Sequence, residues 1–263
     1  GIAHAISLCH QFVGDEKFIV FLGDNILEKS ISEYKAEFER SDADASILLC
    51  EVDNPSRFGI ADVKNGVITK IMEKPKNPPT NLAVTGIYFL TPIIFDIISR
   101  LKPSWRNELE ITEALQMLLE EGYKITYNTV TDYWKDTGTS DDIIHANKFI
   151  LEHSEPYFYG KKEDGVILIG NVMVGENSVI KSGAKVIGPV IIGKNCIIHS
   201  DTKIGSNTSI GDDSVIAKCD IEDSIIMSGC NIDGDFKIRN SIIAFNCILT
   251  SKKSEFQSFL LGE

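Results

Sequence analysis

Apolar positions in the first half of the chain change period several times. Ile2, Ala5, Ile6, Cys9 and Val13 share one helical face, and the run Phe18-Ile19-Val20-Phe21-Leu22 that follows suits a buried strand in the middle of a sheet. Ile31, Tyr34 and Phe38 return to helical spacing, and Ala45 to Val52 reads again as a strand. This alternation predicts an α/β domain with a largely parallel sheet. Phe58 to Val63 and Val67 to Met72 flank Lys64-Asn65-Gly66, a strong hairpin signal, so a second strand pair is expected in the same domain. Val84 to Leu90 makes a further strand. Pro92 opens a helix through Leu101, Glu110 to Glu121 makes an amphipathic helix stopped by Gly122, and Ile143 to Glu152 closes the unit.

The pattern changes near Gly165. Leu168, Val174, Ile180, Val186, Ile192, Ile198, Ile204, Ile210 and Ile216 recur every sixth position without a slip. Neither a helix nor an isolated hairpin has that period. A parallel β-solenoid of hexapeptide repeats does, because each short strand turns one aliphatic inward and the next coil covers it. Glycines 175, 193, 205 and 211, each directly after an aliphatic, are expected to supply tight corners. After Ile216 the register shifts, and it resumes at Ile226, Ile232 and Ile238.

Composition narrows the function classes. The 263 residues include 26 Lys plus Arg against 38 Asp plus Glu, a net charge of −12, which disfavours nucleic acid or an anionic membrane over any broad surface. No apolar run approaches the ~20 residues of a membrane helix, and the start lacks a basic secretory signal, so a cytoplasmic location is expected. The six cysteines form no C-x-x-C pair and read as small buried hydrophobes. The five histidines are scattered, with no metal-ligand spacing. Any catalysis therefore leans on carboxylates and lysine.

Five short motifs invite a common explanation: Gly23-Asp24-Asn25, Arg57-Phe58-Gly59, Glu73-Lys74-Pro75, Arg106-Asn107-Glu108-Leu109-Glu110-Ile111-Thr112, and Trp134-Lys135-Asp136-Thr137-Gly138-Thr139. Each alone is commonplace, and Asp24 and Asp136 taken singly suit ordinary turns. In this order, before a hexapeptide tail, they resemble the sugar-1-phosphate nucleotidyltransferases, most of all the long-form glucose-1-phosphate thymidylyltransferases. ILLCEVDNPSRFGIADV, IMEKPKNPPTNLAVTGIYFL, LKPSWRNELEITEAL and DYWKDTGTSDDIIHANKFIL carry the likeness over essentially the whole chain.

The resemblance implies a Rossmann-like nucleotidyltransferase domain over residues 1–153, a linker over 154–164, and a left-handed parallel β-helix over 165–263. It implies Mg²⁺-dependent transfer from dTTP to glucose 1-phosphate, with Asp24 and Asp136 holding the ion and Asp24 also near the nucleotide. Lys74 would bind the attacking phosphate and Arg106 add a second cation there. Glu73 would accept from sugar hydroxyls. Gly59, Val84 and Gly86 would approach the sugar closely, with Tyr88 and Trp134 as walls, and Gly1 and Ile2 would belong to the base-binding turn. Glu108 and Glu110 are read as structural, pairing with cations or capping the next helix.

The family also begins with a glycine-rich loop and a Pro-Lys pair, and nothing in this chain corresponds to them. The expectation is therefore a chain that starts partway into the catalytic domain, inactive by itself, with one flank of FIVFL exposed and a solenoid that folds independently. UTP or another sugar phosphate is the alternative substrate. An acyltransferase built on the solenoid, where His199 is the sole histidine of the repeats, and a non-catalytic regulatory subunit are the alternatives of other classes. Exposed coil ends require a cap or a partner. The apolar set in Ser254 to Leu261 is expected to cap the last coil, and a homo-oligomer is expected through the solenoid.

Overall fold

In the computed structural model, which describes residues 1–251, the first helical pattern is divided into α1 (Ile2–Ser7) and α2 (His10–Val13). The break has a local cause: Cys9 sits at φ −89° and ψ 0°, and its N–H donates to Ile6 O at 2.9 Å, a tightened turn that ends the first helix. The run FIVFL supplies β1 (Phe18–Phe21), followed by β2 (Asn25–Leu27), α3 (Ser32–Arg40) and β3 (Ala45–Glu51). The hairpin is β4 (Ile60–Lys64) and β5 (Val67–Met72), turning at Asn65 and Gly66 as predicted. Then come β6 (Leu82–Leu90), α4 (Ile93–Ser99), α5 (Ile111–Glu120), β7 (Ile125–Thr129) and β8 (Trp134–Asp136).

The sheet order is β5-β4-β6-β3-β7, with β1 also on β6, and two expectations fail here. The sheet is not largely parallel: β3 and β7 run parallel, whereas β6 is antiparallel to β1, β3 and β4. The chain passes from β3 to β6 through a hairpin rather than a crossover helix, so neighbours can run antiparallel. Nor is β1 a central strand; it pairs with β6 alone, is half-buried and leaves Phe21 45% exposed, in keeping with the open flank expected for FIVFL. The middle position belongs to β6, buried from Ala83 through Leu90 because both faces are covered. Tyr88 and Leu90 face the cluster of Ile94, Ile97, Leu115 and Leu118, while Ile87 and Phe89 face Phe38, Leu48 and Val130. A strand covered on both faces reads as an unbroken apolar run.

Compactness divides the chain into Gly1–Asp136 and Thr137–Glu263, so α6 (Ser140–His153) lies in the second unit. Thr139 caps α6 by accepting from the Asp142 N–H at 3.2 Å. Asn147 then bonds Asn207 O and Ser209, and Lys148 pairs with Asp223 at 2.7 Å. Lys161–Lys162 pairs in parallel with Val179–Ile180, so solenoid pairing begins before Gly165.

From there the second unit is a parallel β-solenoid of three faces, the architecture of the left-handed hexapeptide class. The six-spaced aliphatics from Val174 to Ile216 are at most 1% exposed, with Leu168 half-buried at the first coil. The register shift also has a cause. Lys185 pairs with Lys203, a full three-hexapeptide coil later, whereas Ser209 pairs with Ile225 and Val215 with Asn231, two residues sooner. The shortened turns bring Ile221 into the core as well.

The glycine expectation needs correction. Left-handed corners are taken mainly by Asn177, Asn195, Asp201, Asn207 and Asp213, with φ of 55–60°. Gly175 and Gly211 serve close stacking: a Cβ there would lie 2.7 Å from the Gly193 carbonyl carbon and 2.5 Å from the Ser228 nitrogen. Cys196, Cys219 and Cys230 are buried in this core as expected, and burial pushes the Cys219 thiol up to about 12, but Cys9 is exposed. The proposed cap, Ser254 to Leu261, lies outside the described residues. Among the described residues no helix is long and apolar enough to cross a membrane.

Candidate active site

A cavity of about 310 Å³ in the first unit gathers most of the residues singled out from sequence. Its base is a two-stranded ribbon in which β2 runs antiparallel to β8, setting Asn25 opposite Asp136 and Leu27 opposite Trp134. Asp24, one residue before β2, is thereby brought beside Asp136, and both line the cavity. Ile2, Gly59, Glu73, Lys74, Val84, Gly86, Tyr88, Arg106 and Trp134 line it too. Gly1 does not; it packs against the backbone of Leu109.

Glu73 and Lys74 leave β5 on an unusual backbone. Lys74 has φ 39°, in the left-handed region, although Pro75 follows and disfavours compact conformations before it. Its N–H is tied to Phe58 O at 3.1 Å. A non-glycine residue held there costs about 1–3 kcal/mol, and such strain gathers at functional sites.

Glu73 is mostly buried, with a side chain 13% exposed. It accepts from Thr112 Oγ1 at 2.8 Å and from Arg106 at 3.3 Å. Burial, the largest cause, holds its carboxyl above the usual range, and nearby Glu110 adds to this against the lowering by Thr112, Lys74 and Arg106. Burial, then the Glu73 and Asp24 carboxylates, also push the Tyr88 phenol well up, so it stays neutral.

Arg106 has carboxylate company on three sides: Glu73 at 3.3 Å, Glu108 at 3.2 Å and Glu110 at 3.4 Å. Glu110, only 4% exposed, accepts from Ser104 Oγ as well, so its burial is matched by partners. Glu110 is the residue preceding α5 but makes no side-chain cap bond. In this arrangement the guanidinium neutralises the acidic cluster around Glu73.

Two glycines mark where side chains crowd. A Cβ at Gly59 would come 2.5 Å from Thr112 Cγ2, and one at Gly86 would enter the Asn25 amide. Trp134 crosses Phe58 edge-on, with centroids 5.6 Å apart, and donates its indole N–H to Asn25 Oδ1 at 2.7 Å. Asn25 and Thr112 stand inside the sequence motifs, but only their burial, 8% and 3% exposed, shows that these polar side chains have partners inside the fold.

Two carboxylates on paired backbone offer hard oxygen donors, which fit Mg²⁺, an ion that completes its shell with phosphate and water. Among the described residues no group of three or more His, Cys, Asp or Glu is gathered as a closed metal site. A larger groove of about 520 Å³ follows the solenoid past Tyr159, Ile191, Met227 and Phe245. It is mainly apolar; of the charged residues lining it, Lys194 pairs with Glu176 at 3.4 Å and its backbone N–H donates to Asp212 Oδ1, whereas the smaller cavity brings Asp24, Glu73, Lys74, Arg106 and Asp136 together, and the chemistry is sought there.

Known proteins resemble this chain over most of its length. The nucleotidyl transferase family profile matches residues 1–153, and the GMPPB C-terminal domain profile matches residues 186–262. The low-salt glycan biosynthesis nucleotidyltransferase Agl11 of Haloferax volcanii is 45% identical over 244 residues, covering 92% of this chain and 68% of that protein. Glucose-1-phosphate thymidylyltransferase of Streptomyces antibioticus is 37% identical over 267 residues, covering 100% of this chain and 74% of the relative. A crystal structure titled as a putative glucose-1-phosphate thymidylyltransferase from Bacillus anthracis superposes with TM-score 0.54 at 42% identity, covering 60% of this chain and 63% of that one. A UDP-glucose pyrophosphorylase complexed with UDP-glucose gives TM-score 0.53 at 28% identity, covering 59% and 63%.

Proposed function

This chain belongs to the nucleotidyl transferase family, and from that premise we propose that its site serves nucleotidyl transfer to a sugar 1-phosphate, with dTTP and glucose 1-phosphate as the pair, yielding dTDP-glucose and pyrophosphate. The observation that carries the reading is the β2–β8 register, which sets Asp24 beside Asp136 in the cavity that Glu73 and Lys74 also line. The thymidylyltransferase relatives support dTTP, and the likeness to a UDP-glucose pyrophosphorylase makes UTP the competing donor.

In such a transfer a phosphate oxygen of the sugar phosphate attacks the α-phosphorus and pyrophosphate leaves. Every reacting group is anionic, so neutralisation and in-line placement are most of what a protein must provide. Asp24 and Asp136 would hold Mg²⁺, which supplies charge neutralisation at the phosphates when bound. The Lys74 ammonium, set by its constrained backbone, meets the attacking phosphate as a compact point charge. Glu73, kept in place by Thr112 and Arg106, accepts from a sugar hydroxyl. Tyr88 and Trp134 present walls that exclude water from the sugar.

The test is pyrophosphate release by the full-length protein, with dTTP or UTP crossed against glucose 1-phosphate and N-acetylglucosamine 1-phosphate. Faster turnover with dTTP and glucose 1-phosphate is expected. A preference for UTP moves the assignment to a uridylyl donor, and no turnover with any pair rejects it.

A further inference from the structure

The turn Leu22-Gly23-Asp24-Asn25 is stitched to β6 through both polar groups of one residue. Gly86 O accepts from Leu22 N–H at 2.9 Å, and Gly86 N–H donates to Asn25 Oδ1 at 3.1 Å. The same Oδ1 accepts the Trp134 indole N–H at 2.7 Å. A backbone N–H and an indole N–H can only donate, so together they fix which end of the Asn25 amide is oxygen. Nδ2 is left facing Asp24 Oδ1 at 2.9 Å, and a carboxylate can only accept. Asn25 is 8% exposed, so no easy rotation to solvent competes with this arrangement.

We infer that Asn25 is a positioning residue, an amide clamp locked by Gly86 and Trp134 that aims one oxygen of the Asp24 carboxylate. It rests on the reading of Asp24 and Asp136 as the divalent-ion pair. Trp134 and Asp136 are both on β8, and Asn25 opposes Asp136 across the ribbon. The clamp therefore ties the orientation of one carboxylate to the strand that carries the other. Partners that orient metal-binding carboxylates are commonly worth about 10–100-fold in metal affinity or activity. The bare Gly86 α-carbon is part of the device, since a methyl there would displace the amide.

The test compares the full-length parent protein with its Asn25→Ala, Trp134→Phe and double variants. The second keeps an aromatic ring while removing the indole N–H together with part of the ring's bulk. Mn²⁺ alone is titrated and followed by the electron paramagnetic resonance of the free ion, and kcat and KM are measured with dTTP and glucose 1-phosphate. Asn25→Ala is expected to weaken Mn²⁺ by about tenfold or more and to lower kcat, with KM for the sugar phosphate moving by less than about twofold. Trp134→Phe shares the loss in part, and the double variant is no weaker than Asn25→Ala because both disable one unit. Unchanged Mn²⁺ affinity in both single variants, with a raised sugar-phosphate KM, makes Asn25 a direct sugar ligand and overturns the clamp. A full-length parent protein that does not bind Mn²⁺, or Asp24→Asn leaving affinity intact, sinks the two-carboxylate reading and the clamp with it.

Discussion

Asp24 and Glu73 carry the same functional group in different surroundings, and the roles proposed for them differ accordingly. Asp24 sits at a strand end beside a second carboxylate, so replacing its charge would remove a proposed ion ligand without opening the core. Asp24→Asn is expected to lower kcat by at least about a hundredfold with an unchanged melting midpoint; near-normal turnover would remove Asp24 from the chemistry. Glu73 is buried, and burial raises its pKa. The folded state thus holds this proton more tightly than the unfolded chain. Its contribution to stability is present below the unfolded pKa of about 4.3 and is lost as pH rises through the elevated folded value. The proposed function has the opposite sign, since only an ionised Glu73 would accept fully from a sugar hydroxyl. KM for the sugar phosphate is therefore expected to rise as pH falls through a range above that of an ordinary glutamate, and Glu73→Gln should flatten that limb. A limb that survives in Glu73→Gln assigns it to another group.

Between elements, β4 and α5 meet at a contact that tolerates little added volume. Gly59 lies just before β4 and Thr112 in the first turn of α5, and the space for a Gly59 side chain is filled by Thr112 Cγ2. Gly59→Ala is expected to cost about 1–3 kcal/mol, the usual penalty of overpacking. Adding Thr112→Ser, which removes that methyl but keeps the hydroxyl bonded to Glu73, should recover most of the loss in a denaturant titration. No recovery in the double variant would place the strain elsewhere. This contact also relates packing to chemistry, because the atom that crowds Gly59 belongs to the side chain that orients Glu73.

For the whole molecule, charge and apolar exposure pull in opposite directions. The chain carries −12, yet the solenoid leaves Ile167, Ile169, Phe245 and Ile248 between 49% and 71% exposed. Burying those side chains between copies would favour association, while like charge opposes it and salt screens that repulsion. Light scattering is expected to give a mass above the 29.1 kDa of one chain, increasing from low to moderate ionic strength. A monomer at every salt concentration would show that these side chains tolerate water.

What could be read along the chain was local or strictly periodic. The six-residue repeat declared the solenoid because each coil repeats its neighbour's packing, and Asn65-Gly66 declared its hairpin because the turn is decided by two residues. The five motifs located the residues that line the cavity, but resemblance, rather than spacing, supplied their roles. Tertiary structure decided which strands are neighbours, making β6 rather than FIVFL the middle of the sheet. It also decided that Arg106 sits among three carboxylates and that Asn25 binds Gly86 and Trp134. The reason is physical: a hydrogen bond between residues distant in sequence leaves no period behind, and the worth of a polar side chain depends on burial and partners that exist only after the chain has folded.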